Sequence, residues 1–271
     1  MPWLQPALFD GLAFVTVSPD RSPVLWAAVL LIVFVGSTLQ AALGIGLGLL
    51  AAPLLALLAP EFVPGPLLAS VLGLTLFVLL RERRAIRLRG VGWALVGRVP
   101  GTLLGAWIVT RLAKDRLEVA LGSLLLLCVA TSLGADRLRS RDEGVEAPEP
   151  AAHWLSLAGL FSGISGTSAG VGGPPIALVL RHYAPEAMRA TMSGFFLVGV
   201  TVSLASLFAV GEMGSAELEA TAQLLPAVFL GALASIPARN RIDRQLAQTL
   251  VLGLSGSAAL VLLLRGLGFF S

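Results

Sequence analysis

Two stretches decide the fold: Phe34 to Pro53, FVGSTLQAALGIGLGLLAAP, and Phe161 to Pro175, FSGISGTSAGVGGPP. Each lies within a long apolar run. The first run is interrupted by Gly44-Ile45-Gly46-Leu47-Gly48, and the second by the glycines, serines and prolines from Ser165 to Pro175. Glycine frees φ and proline removes a backbone donor, so a helix should break at both places. The breaks also correspond to one another. At one constant offset, 126 residues from Gly44 to Gly170, Gly46 aligns with Gly172, Gly73 with Gly199, Thr75 with Thr201, Pro100 with Pro226, Gly105 with Gly231 and Ala106 with Ala232, without a gap. The chain is therefore a duplicated unit.

Around these breaks the apolar runs fall at 24–59, 66–80, 91–110, 117–134, 154–180, 190–210, 218–237 and 246–264. Each approaches or exceeds the length that crosses about 30 Å of hydrocarbon as a helix. Of the 271 residues, 56% are hydrophobic and 13% charged, against about 25% charged in a soluble domain. With a mean hydropathy of +0.87, there is too little polar surface for a water-soluble fold. The expected class is an all-α polytopic membrane protein made of two four-segment repeats, with the first and fifth segments broken or re-entrant. Residues 1–23 form an N-terminal extension, 24–134 the first repeat, 135–152 a linker and 153–271 the second repeat. The extension lacks the basic start of a cleavable signal and is expected to remain on the mature protein. The linker holds eight charged residues with Pro148 and Pro150, a solvated composition.

Most of the 19 Lys and Arg sit at the ends of apolar runs, which reads as membrane topology and not as a nucleic-acid face. If all eight segments cross, the two sides carry nearly equal basic charge. If segments one and five are hairpins returning to their own side, the split becomes 13 against 5, Arg98 set aside. The second arrangement obeys the positive-inside rule, places Arg81, Arg189, Arg239 and the linker in the cytoplasm and both termini outside, and inverts the halves. It leaves Arg111, Lys114 and Arg116 on the outer side.

Non-helical backbone at membrane depth has to be buried or line an aqueous cavity. Helices resuming after Gly48 and after Pro174 would present free N–H groups and a positive dipole end to an anion. The candidate site therefore comprises Gly44, Gly46, Gly48, Gly170, Gly172, Gly173 and Pro174. Gln40, Ser165, Thr167 and Ser168 stand beside these breaks as polar partners, with Ser37 and Thr38 nearby. The bland alternative is close helix packing through glycine, with the hydroxyls bonding back to their own helices. Two clusters at matching repeat positions favour the site.

Arg98 is the basic residue well inside a span, about eight positions or roughly 12 Å from its start at helical rise. It either holds an anion with its fork of donors or snorkels to the headgroups. Its repeat counterpart is Leu224. No carboxylate lies deep in a span, as a proton-coupled carrier would be expected to show. One cysteine, Cys128, and two histidines offer neither a disulfide nor a metal site. No cofactor is expected.

Two rival classes remain. Gly163-Ile164-Ser165-Gly166 matches the GxSG of intramembrane serine proteases, with Ser165 as nucleophile, but His153 and His182 both lie at segment boundaries, and a serine without a base is a poor nucleophile. A channel or a non-transporting membrane subunit is the other, although a two-fold repeat within one chain suits alternating access better.

The two quoted stretches, with the Pro-and-Gly segments at 98–106 and 226–232, resemble the sulfite exporter TauE/SafE family of membrane permeases. The resemblance covers nearly all of the chain after residue 24. It implies a multi-pass transporter of the bacterial inner membrane for small, often sulfur-containing anions such as sulfite, sulfoacetate or thiosulfate, and maps the family's glycine-rich motifs onto Gly44, Gly46, Gly48, Gly170, Gly172, Gly173 and Pro174. The expected partners are the anion and the lipid bilayer, with a homo-oligomer left open and no nucleic acid. An inside-negative potential expels anions by about 2.3 kcal/mol per charge per 100 mV, so a carrier without a proton relay is expected to export.

Overall fold

The computed structural model describes residues 22–44, 46–112, 114–137, 149–239 and 241–269. The N-terminal extension up to residue 21 and the middle of the linker, 138–148, lie outside the described residues. Every regular element among those described is helical. In chain order they are α1 (Pro23–Leu43), α2 (Leu47–Leu58), α3 (Gly65–Glu82), α4 (Leu88–Arg111), α5 (Lys114–Arg137), α6 (Ala152–Ala169), α7 (Gly173–Val179), α8 (Pro185–Ala209), α9 (Ser215–Ala238) and α10 (Arg244–Gly266). Seven of these, α1, α3, α4, α5, α8, α9 and α10, are long and apolar enough to cross a bilayer. The outward surface is apolar as well: Leu31, Leu80, Leu103, Leu230 and Leu250 are each more than half exposed, as side chains facing lipid are.

Both interrupted runs are split as their glycines require. The helix α1 starts on a Ser22 cap, whose hydroxyl accepts from the Leu25 amide at 3.2 Å, and it ends at Gly44 with φ +90°. At the repeat-equivalent place α6 ends at Gly170 with φ +75°. A side chain rarely adopts this left-handed conformation, which terminates helices. The chain resumes as helix slightly earlier than expected, at Leu47 and at Gly173. Pro174 and Pro175 fit the first turn of α7 because that turn needs no intrahelical donors.

Each split run is a hairpin. Trp26, near the start of α1, stacks on Phe62, just after α2, with ring centroids 5.8 Å apart, so α2 runs back towards the start of α1. In the second half, Arg89 at the start of α4 pairs with Glu149, which precedes α6, at 3.7 Å. Tyr183, which follows α7, rests its hydroxyl against neighbouring Gly90. Both ends of the second hairpin therefore lie at the start of α4.

Repeat-equivalent helices pack in opposite directions. Glu82 at the end of α3 meets Arg189 near the start of α8 at 2.9 Å, and Glu118 near the start of α5 meets Arg265 near the end of α10 at 3.6 Å. By contrast, α4 and α6 run side by side in the same sense, Gly97 against Ser156, Gly101 against Leu160 and Gly105 against Ile164. A Cβ at Gly97, Gly101 or Gly159 would collide with a carbonyl oxygen of the facing helix, the close approach that glycines four apart allow. This seam positions Arg98, which projects from α4 towards the second break.

Candidate functional site

The two breaks touch. A Cβ on Gly48 would collide with the carbonyl oxygen of Gly170, so the short helices α2 and α7 begin beside one another. Between them lies a cavity lined by Gln40, Gly44, Gly46, Gly48, Arg98, Gly166, Gly170, Gly172, Gly173 and Pro174, with Leu49, Leu68, Val71, Phe196 and Val200 as its apolar wall. Its volume is about 30 Å³, room for about one or two waters in this conformation.

Arg98 is the strongest electrostatic feature of the cavity. Its residue is 1% exposed, so it does not snorkel to the headgroups. Nη1 donates to Ser162 Oγ at 2.7 Å and to the Ser162 carbonyl at 3.1 Å, and Nη2 donates to Ser203 Oγ at 3.4 Å. The guanidinium carbon lies 5.0 Å from the Phe195 ring centroid and 6.0 Å from that of Phe196. Nε has no hydrogen-bond partner, and no carboxylate pairs with Arg98 among the described residues. The guanidinium rests on bare backbone: a Cβ on Gly172 would lie 2.8 Å from Nη1, and one on Gly166 3.1 Å from Nη2. Burying a charge costs a great deal unless it is paired. Among the described residues, hydroxyls, a carbonyl and ring faces supply all the compensation it has.

Gln40 supplies the complementary half. The Leu47 amide at the start of α2 donates to Gln40 Oε1 at 3.0 Å, which leaves the amino end of the side chain as a donor. At the repeat offset Gln40 corresponds to Gly166. A side-chain amide thus occupies the first half, whereas in the second half a glycine makes way for Arg98. Pro174 and Pro175 carry no N–H, so α7 offers fewer backbone donors than α2.

The remaining hydroxyls behave differently from one another. Ser165 donates to the Phe161 carbonyl at 2.8 Å and Ser168 to the Ile164 carbonyl at 2.7 Å. Both bond back along α6 and neither lines the cavity. Thr167 meets Ser203 at 2.9 Å and so reaches Arg98 indirectly. Thr38 bonds to the Phe34 carbonyl, and Ser37 is buried with its hydroxyl unpartnered. The sequence reading missed Ser162, Ser203 and Phe195. Ser162 also donates to the Gly172 carbonyl, linking Arg98 to the broken backbone. A signal for Ser162 was present: it precedes Gly166 by one helical turn and so shares its face.

The match to known sequences follows this geometry. A sequence profile of the sulfite exporter TauE/SafE family matches residues 28–262, from the first helix to the last and through both breaks. The chain belongs to that family. No curated protein and no solved structure gave a match. TauE/SafE membership together with the apolar helices makes this a multi-pass membrane transporter, which fits a non-enzymatic role. The described residues contain no group of His, Cys, Asp and Glu that could hold a metal ion. Among them, neither histidine bonds to Ser165.

Proposed function

We propose that this TauE/SafE protein exports small oxyanions, sulfur-containing ones such as sulfite, sulfoacetate or thiosulfate, by alternating access around the cavity between the two breaks. The observation that carries this reading is Arg98, a buried guanidinium with no carboxylate partner among the described residues, held against glycine backbone in a cavity where the two breaks meet. Gln40, Gly44, Gly46, Gly48, Gly170, Gly172, Gly173 and Pro174 would form the rest of the cradle, and Ser165, Thr167 and Ser168 would support it from behind.

The antiparallel packing of α3 with α8 and of α5 with α10 supports an inverted repeat. A two-fold axis across the helices reverses its mates, whereas one along them does not. Connections rich in arginine, around Arg81 to Arg89, Arg181 to Arg189 and Arg239 to Arg241, fall at one end of the molecule, which the positive-inside rule makes cytoplasmic in a bacterial inner membrane. With that orientation the membrane potential drives anions outward.

The test is flux of radiolabelled sulfite from proteoliposomes with the potential clamped at each sign. Inside-negative potential is expected to accelerate efflux, and an effect of neither sign refutes uniport export.

A further inference from the structure

Glu82 carries an inference that rests on the export reading and extends it. At the cytoplasmic end of α3 its carboxylate is almost fully buried, with a side chain 6% exposed, and it meets three guanidiniums. Arg189 Nε lies 2.9 Å from Oε2 and 3.1 Å from Oε1, with Nη2 2.9 Å from Oε1. Arg81 Nη2 reaches the same oxygen at 3.2 Å and Arg239 Nη1 at 3.3 Å, and Arg239 is shared with Glu186 at 2.7 Å. Three cations thus face two carboxylates, leaving one positive charge in excess. The cluster also ties down the end of α1. Arg81 donates to the Ala41 carbonyl at 3.0 Å and Arg189 to that of Ala42 at 3.5 Å. Beyond those carbonyls is Gly44, which lines the cavity, and a Cβ on Gly44 would stand 3.0 Å from Arg189 Cγ. Arg189 is therefore separated from the cavity by the thickness of one backbone strand.

This network is not something the fold requires at that place. At the repeat offset, Arg189 corresponds to Val63, Arg81 to Leu207 and Glu82 to Phe208, so the equivalent positions carry apolar side chains in place of this ion cluster. The charged version has been added to one end of a two-fold arrangement. It also holds a carboxylate, the chemical class of small anion that competes for the same bidentate fork.

We propose that Glu82 is a built-in anion occupying Arg189, and that a small oxyanion arriving from the cytoplasm opens this end of the path by taking Arg189 from it. Arg189 is then the first substrate-binding arginine and Arg98 the second.

The test uses thiol accessibility in the full chain. With Cys128, the sole cysteine, replaced by Ala, Val71→Cys places one thiol in the cavity wall. A membrane-impermeant anionic thiol reagent is added at either face. Glu82→Gln is expected to raise the labelling rate at least tenfold from the arginine-rich face alone, and Arg189→Lys, which loses the fork, severalfold. The exchange Glu82→Arg with Arg189→Glu is expected to restore slow labelling. Sulfoacetate, which does not consume thiol reagents, is expected to accelerate labelling only where Glu82 is intact.

Unchanged rates in Glu82→Gln and Arg189→Lys, or equal increases from both faces, overturn the proposal. So does failure of both variants to fold, because the pair is then a structural staple. Absent sulfite flux with labelling as expected sinks the export reading and leaves the gate. Flux with unmoved labelling sinks the gate alone.

Discussion

Replacing Arg98 with methionine separates a substrate-binding arginine from a structural one. The side chain has one short hydrogen bond, one of ordinary length and one long one, at 2.7, 3.1 and 3.4 Å. Hydrogen bonds to charged groups contribute about 1.5–3 kcal/mol when well formed, so the two to Ser162 return about 3–6 kcal/mol and the long one to Ser203 little. Against them stands the burial of an unpaired cation, which costs several kcal/mol. The polar groups left behind keep other partners: Ser162 still donates to the Gly172 carbonyl and Ser203 still bonds to Gly199 and Thr167. Net stability should therefore change by no more than about 2 kcal/mol, or roughly 8 °C in melting temperature at 2–4 °C per kcal/mol. The repeat already buries an apolar side chain, Leu224, at the equivalent position.

Binding should respond in the opposite way. Sulfite at 100 times its Kd stabilises the protein by about 2.7 kcal/mol, roughly 5–10 °C. Loss of a charge-assisted contact worth about 1.5–3 kcal/mol weakens Kd by roughly 10–150-fold and cuts that shift to about half or less at the same sulfite concentration. The assay is thermal unfolding in detergent, with and without sulfite, for the parent and Arg98→Met. An Arg98→Met protein that melts more than about 10 °C below the parent, or that keeps the full sulfite shift, refutes the reasoning.

Gly48→Leu should abolish flux while leaving the spans in place, because its side chain would collide with the Gly170 carbonyl; flux and size-exclusion profile read this together. Gln40→Ala removes the acceptor for the Leu47 amide and is expected to cost about 1 kcal/mol, as a lost helix cap does, along with a raised KM for sulfite efflux. The parent should not be labelled by a fluorophosphonate at Ser165; labelling there would favour the hydrolase alternative.

Much of this arrangement was legible in the sequence because it rests on residues with unusual backbone demands. Gly44 and Gly170 mark the helix ends by their left-handed φ, and the common offset that pairs them brings Gly48 against Gly170. Returning arms were expected from charge placement, since they put 13 of the basic residues on one side against 5 on the other, Arg98 set aside. Side-chain direction was not legible. Ser165 and Ser168 fall within the break from Ser165 to Pro175 but turn back along α6, whereas Ser162, one turn before that break, and Ser203, on a different helix, hold Arg98. Glu82 sits in Arg81-Glu82-Arg83-Arg84 at a segment end. Its burial depends on Arg189 and Arg239, more than a hundred residues away, and no local pattern reveals such a partnership.

The glycine seam between α4 and α6 has a mechanical consequence. It joins a helix of the first repeat to one of the second with backbone against backbone, leaving no side-chain layer along which the two could slide. A rocking motion that split the molecule at the linker would have to tear this contact. Under the alternating access proposed above, pieces that keep this seam would carry α4 together with α6, and the close approach of Gly231 on α9 to the Phe34 carbonyl on α1 would likewise keep α1 with α9, so the unit that moves would differ from the copied one.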